Sequence, residues 1–124
     1  MLIGIISLSS CRKDESIEAP DNYIGLADAV VLAAKISAEN EALQGGVLFG
    51  TEIIQPIYYN LRKASGFMGY PKPLNLDSAV YYLYRNIELI KSGVNGDLTA
   101  KQILRLDYYK WQSEYCIDLI SKIQ

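Results

Sequence analysis

Asp107, Glu114 and Asp118 fall on one face of a stretch with helical patterning. Carboxylates placed this way hold a divalent cation or divide acid–base work when burial or ligands from a second helix assist them. Lys110 lies between them, three residues after Asp107 and four before Glu114, which reads instead as local ion pairs on a solvated strip. Cys116 is the next candidate, but its only nearby cation in sequence is Lys110. A thiol without a basic partner reads as a buried structural side chain rather than a nucleophile. The chain has no histidine, which excludes histidine-based triads, histidine metal ligands and histidine proton relays. Its two cysteines, Cys11 and Cys116, are too few for a cysteine-rich zinc site. A disulfide between them stays open on arithmetic alone. The expectation is a protein that is not an enzyme, with no catalytic residues, no metal and no cofactor in its folded part.

Ten tyrosines are many for 124 residues. Several are adjacent: Tyr58-Tyr59, Tyr81-Tyr82 with Tyr84 nearby, and Tyr108-Tyr109 with Tyr115 nearby. Neighbours on a helix point to different faces, so one of each pair can pack while the other meets solvent. Outward tyrosines suit protein contacts or stacking on sugars; inward ones pack helices with the hydroxyl at the rim.

The chain is long enough for one domain. Half its residues are hydrophobic and 21% are charged, with a formal net charge of −2. That composition fits a globular fold, and a weakly acidic chain without a basic cluster gives no electrostatic reason to bind nucleic acid.

Residues 2–8 form a short apolar run, followed by Ser9, Ser10 and Cys11 and then by the polar Arg12-Lys13-Asp14-Glu15-Ser16. Such a run is too short to span a bilayer, which takes roughly 20 residues, and it has the form of a secretory apolar region with a small-residue cleavage site. The sequence Leu8-Ser9-Ser10-Cys11 resembles the bacterial lipobox. That resemblance implies a thioether-linked diacylglycerol and an acyl chain on Cys11, which becomes the first residue after cleavage. The basic segment that normally precedes the apolar run is missing, as expected if the start codon lies further upstream. Lys13-Asp14-Glu15 is similar to the lysine-plus-two-acids signal that exports some Bacteroidota lipoproteins to the cell surface; a solvated linker is the other reading. The resemblances imply an outer-membrane lipoprotein on either the periplasmic or the cell-surface side.

Three segments follow: residues 1–10 as a signal peptide, 11–22 as lipidated cysteine and tether, and 23–124 as an all-α domain of about four helices. The first helix is expected over about 25–44, with Asp28, Lys35 and Glu39 facing water and Gly45-Gly46 as the stop. The second is expected over about 51–65, kinked or restarted at Pro56. Residues 66–73, rich in glycine and proline, are expected to be a loop. The third spans about 77–92 with a buried stripe of Val80, Leu83, Ile87 and Ile90. The fourth starts at Asp97 or Thr99 and runs toward Ile123. Its broad apolar surface of Ile103, Leu104, Tyr108, Trp111, Tyr115 and Leu119 is expected to pack against several neighbours.

The expected function is an envelope lipoprotein whose helical domain binds or scaffolds another envelope protein, as in an accessory subunit of a secretion or transport complex. Phe67, Met68 and Tyr70, in a loop stiffened by Pro71 and Pro73, are the candidate partner surface; covering by the domain's own core is the alternative. A surface lipoprotein capturing carbohydrate through exposed tyrosines is the second reading.

Overall fold

A computed structural model describes residues 20–46, 49, 51–93 and 98–123. Four helices follow one another: α1 (Pro20–Leu43), α2 (Thr51–Met68), α3 (Leu76–Gly93) and α4 (Ala100–Ser121). No strand occurs among the described residues. The expected all-α bundle of about four helices is therefore the observed architecture.

Each helix starts and stops for a local reason. Pro20 opens α1, where its missing N–H would have been unpaired in any case. The helix therefore begins about five residues earlier than the sequence predicts. At its other end Gly46 N–H donates to Glu41 C=O and Gly45 N–H to Ala42 C=O, both at 3.0 Å. This is the two-bond glycine stop, and Gly45 supplies the positive φ of 75° that it requires. The Asn75 side chain accepts from Ser78 N–H at 3.0 Å and caps α3. Thr99 caps α4 in a reciprocal box with Gln102, choosing Thr99 over Asp97.

The second helix corrects one expectation and narrows another. Pro56 lies inside a continuous α2, without a restart. Residues 66–68 belong to its last turn rather than to a loop. The physical reason is burial: Ile54, Ile57, Leu61, Ala64 and Met68 step by three and four residues and are all buried, so ending the helix at Ser65 would strip Met68 from the core. The turn closes after Gly69, whose φ is +39°. Beyond it Leu74 and Asn75 N–H both donate to Phe67 C=O, at 2.9 and 3.0 Å.

The same alternating spacing lines the core on the other helices. On α1 it is Ile24, Ala27, Val31, Ala34 and Ala38, and on α4 it is Leu106, Tyr109, Ser113, Cys116 and Ile120. On α3 the buried set is Ala79, Leu83, Asn86, Ile87 and Ile90, with Val80 only half-buried, so Ala79 replaces it in the expected stripe. This is the spacing of interlocking, nearly aligned helices. Contacts run α1–α2, α2–α3, α3–α4 and α4–α1, and neither diagonal pair touches, so the helices form a closed ring. Cross-links fix the directions. Tyr58 reaches Glu39, Asn86 reaches Ser113, and on the α1–α4 side Tyr109 reaches Ser37 while Cys116 reaches Ala27. Along that side positions on α4 rise as those on α1 fall, so the two helices are antiparallel.

Candidate functional site

Cys11 and Lys13-Asp14-Glu15 lie outside the described residues. Of the proposed partner surface, Met68 is wholly buried and Phe67 is half-buried, with its ring stacked on Tyr82 at 6.0 Å. Both therefore serve the bundle, since apolar side chains at the end of α2 complete the seam. Tyr70 alone of the three is exposed, and its ring lies over Gly25, where a Cβ would come within 3.3 Å.

The carboxylate strip of α4 stays on the surface. Lys110 Nζ pairs with Glu114 at 3.0 Å and Lys122 Nζ with Asp118 at 3.8 Å, all with side chains in solvent. Such exposed pairs add little to stability. Among the described residues no three cysteine or carboxylate groups are close enough to hold a metal ion. Cys116 is fully buried and its Sγ donates to Ala27 C=O at 3.4 Å. Burial, and secondarily the charge of Asp28, push the thiol up from 9.0 to about 12. A thiol held protonated in this way does not act as a nucleophile.

Two surfaces stand out instead. The first lies on α2 and α3. Tyr59 and Tyr81 are exposed, and Tyr82 lies between the helices, edge-on to Tyr59 at 6.2 Å and to Tyr81 at 5.1 Å. Cations sit over these rings: Lys63 over Tyr59 at 5.7 Å, Arg62 over Tyr59 at 6.0 Å, and Arg85 over Tyr81 at 5.7 Å. The shallow cleft beside them is lined by Arg62, Lys63, Gly66, Phe67 and Leu74. The paired tyrosines divide as helical geometry dictates, most sharply at Tyr108-Tyr109, where Tyr109 is buried and Tyr108 is exposed.

The second surface lies on α1 and α4 and reverses two expectations. Asp28, Lys35 and Glu39 do not form the water face of α1; all three are half-buried along its flank. Tyr58 on α2 donates to Glu39 at 3.2 Å, and burial raises the Asp28 carboxyl. The outermost positions are Leu26, Ala29, Ala33, Ile36, Asn40 and Leu43. On α4 most of the broad apolar surface is not packed against neighbours either, although Tyr115 packs half-buried against the core. Leu104 is 69% exposed and Trp111 56%, Ile103 and Tyr108 are exposed, and only Leu119 of the expected set is buried.

A polar pair crosses the core between α3 and α4. Asn86 Nδ2 donates to Ser113 Oγ at 3.2 Å, and Ser113 Oγ donates to Tyr109 C=O at 3.0 Å. Asn86 Oδ1 has no partner among the described residues. The pair aligns the two helices at one level, a use of buried polarity known from helical assemblies. Ser113→Ala is expected to cost about 1–3 kcal/mol by leaving a buried amide donor unpaired. Replacing both residues, Asn86→Leu with Ser113→Ala, is expected to restore most of that loss. Urea unfolding of the two variants checks the order; a double variant weaker than the single one would remove the pairing argument.

No helix among the described residues is long and apolar enough to cross a membrane. No protein-family model, curated protein or solved structure matches the chain.

Proposed function

We propose that this protein is a non-enzymatic, lipid-anchored scaffold of the bacterial outer membrane. Its helical bundle holds another envelope protein, as an accessory subunit of a secretion or transport complex would. The observation that carries the binding role is the tyrosine and cation surface of α2 and α3. Exposed Tyr59 and Tyr81 share it with Arg62, Lys63 and Arg85. Tyrosine and arginine dominate the energetics of protein contacts because they offer a large rigid area and keep a polar end. The anchor rests on the lipobox-like Leu8-Ser9-Ser10-Cys11, and the cell-surface side on Lys13-Asp14-Glu15.

The test uses the full chain in membranes. Cys11→Ser is expected to abolish labelling by a fatty-acid analogue and to release the protein, since several acyl chains are needed for stable anchoring. Tyr59→Ser with Tyr81→Ser is expected to leave anchoring and melting unchanged while a co-purifying protein is lost. Undiminished labelling of Cys11→Ser removes the anchor; an unchanged co-purification profile removes the α2–α3 surface from the binding role. The same exposed rings favour a second reading, capture of carbohydrate by stacking. Retention of the wild type, but not the tyrosine variant, on immobilised glycans would select it.

A further inference from the structure

We propose that the outer faces of α1 and α4 are the contact surface of a homodimer. The inference stands on a different surface from the α2–α3 partner site and does not depend on it. Both helices carry two apolar seams, one inward and one outward. On α4 the outward seam is Leu104, Tyr108, Trp111 and Tyr115, stepping by four, three and four. On α1 it is Leu26, Ala29, Ala33 and Ile36, continuing through Asn40 to Leu43. Alternating steps of three and four are what a further helix packs against.

The occupant follows from shape and area. Cross-links Tyr109–Ser37 and Cys116–Ala27 set the level of one helix against the other. They place Trp111 level with Ala33 and the half-buried Tyr115 level with Ala29. The face therefore presents an aromatic ridge next to an alanine shelf. A two-fold axis across such a face puts the ridge of each protomer on the shelf of its partner, so the surface complements itself. The exposed large side chains on it, Leu43 at 79% and Leu104 at 69% foremost, present roughly 700 Å². A stable pair needs about 800 Å² from each partner, whereas the largest apolar patch of a typical monomer is about 300–600 Å². Charges of both signs border it, Asp28, Lys35 and Glu39 on one side and Asp107, Lys110 and Glu114 on the other, as a polar rim borders an interface. Arg105 and Asn40 are polar residues within the face, and Arg105 reaches from α4 to Ser37 Oγ at 3.4 Å.

Trp111 is the single tryptophan of the chain, so its fluorescence reports on this face alone. The test is sedimentation and Trp111 emission of the full 124-residue chain in reducing buffer, over roughly 1–100 μM. The expected result is a mass that doubles from 13.9 kDa with a blue shift following the same concentration curve. Ala33→Glu, at an exposed position, is expected to keep helical content while weakening association at least tenfold and leaving emission red. Leu104→Glu serves as an independent second variant should Ala33→Glu fail to fold. A monomer at every concentration overturns the proposal. So does blue emission from a monomer, which would assign the cover to residues 1–19, and so does dimerisation undisturbed by both variants.

Discussion

Tyr109→Ala is expected to remove about 3–5 kcal/mol of folding stability, the cost of deleting a fully packed aromatic ring and leaving its cavity. Tyr109 is the largest of the completely buried side chains. It lies on the inner seam of α4, and its hydroxyl donates to Ser37 of α1 at 3.2 Å. At the level of Ser37 the buried seam of α1 carries only Ala34 and Ala38, so no large side chain of that helix stands beside the void. Tyr109→Phe keeps the ring and loses only the hydroxyl contact, an expected cost of about 0.5–1.5 kcal/mol. Urea unfolding of the two variants separates packing from hydrogen bonding. A loss below about 1 kcal/mol for Tyr109→Ala would mean that the α1–α4 contact does not depend on this ring.

Stability is also expected to fall steeply in alkali. The Cys116 thiol ionises at its ordinary 9.0 in the unfolded chain and at about 12 in the folded one. Between those values the unfolded state has released a proton that the folded state retains, so rising pH favours unfolding. The contribution is fully present below pH 9 and is lost as pH rises toward 12. At about 1.4 kcal/mol per pH unit, it amounts to roughly 4 kcal/mol. Tyr109 acts in the same direction from 10.0 upward. Burial raises its hydroxyl first, and the Ser37 hydrogen bond and the Arg105 charge pull it partly back. Tyr58 and Tyr82 are raised as well, chiefly by burial. The measurement is stability against pH for Cys11→Ser and for Cys11→Ser with Cys116→Ala. The two share every lysine and tyrosine, so their difference isolates Cys116. The alanine variant is expected to start lower, for its lost packing, and to fall less steeply above pH 9; parallel curves would show that the buried thiol carries no such linkage.

The candidate surfaces were only partly legible in the sequence. Exposed tyrosines could be expected from the adjacent pairs, because neighbours on a helix cannot share a face. The cations over them belong to the same two helices, but Arg62, Lys63 and Arg85 are separated by more than twenty residues of sequence at their widest, and only the pairing of α2 with α3 brings them together. Phe67, Met68 and Tyr70 were singled out as large apolar side chains beside glycines and prolines. The signal that Met68 is core was present, since it continues the spacing of Ile54, Ile57, Leu61 and Ala64. Gly66 and Gly69 obscured it, because glycine weakens a helix without forbidding one when packing supports the turn.

Helix number and most helix ends were determined by the sequence itself. Gly45-Gly46 supplies the left-handed backbone a helix stop needs, Thr99 and Gln102 satisfy unpaired N–H groups, and Leu83, Ile87 and Ile90 mark one apolar side among polar ones. Which side of α1 and α4 faces inward was decided only by the tertiary structure. Periodicity identifies the buried face when the faces differ, as they do on α3, and both α1 and α4 offer two apolar seams. Hydrophobicity alone would bury Trp111 and Leu104 before Gln112 and Ser113, yet the fold does the reverse. The deciding quantity is volume at close packing. Small Ala34 and Ala38 on α1 leave room for one Tyr109 beside Ser37, while Ser113 meets Asn86 and Cys116 meets the Ala27 carbonyl. Those fits exist only once all four helices are in place, so no window along the chain contains them.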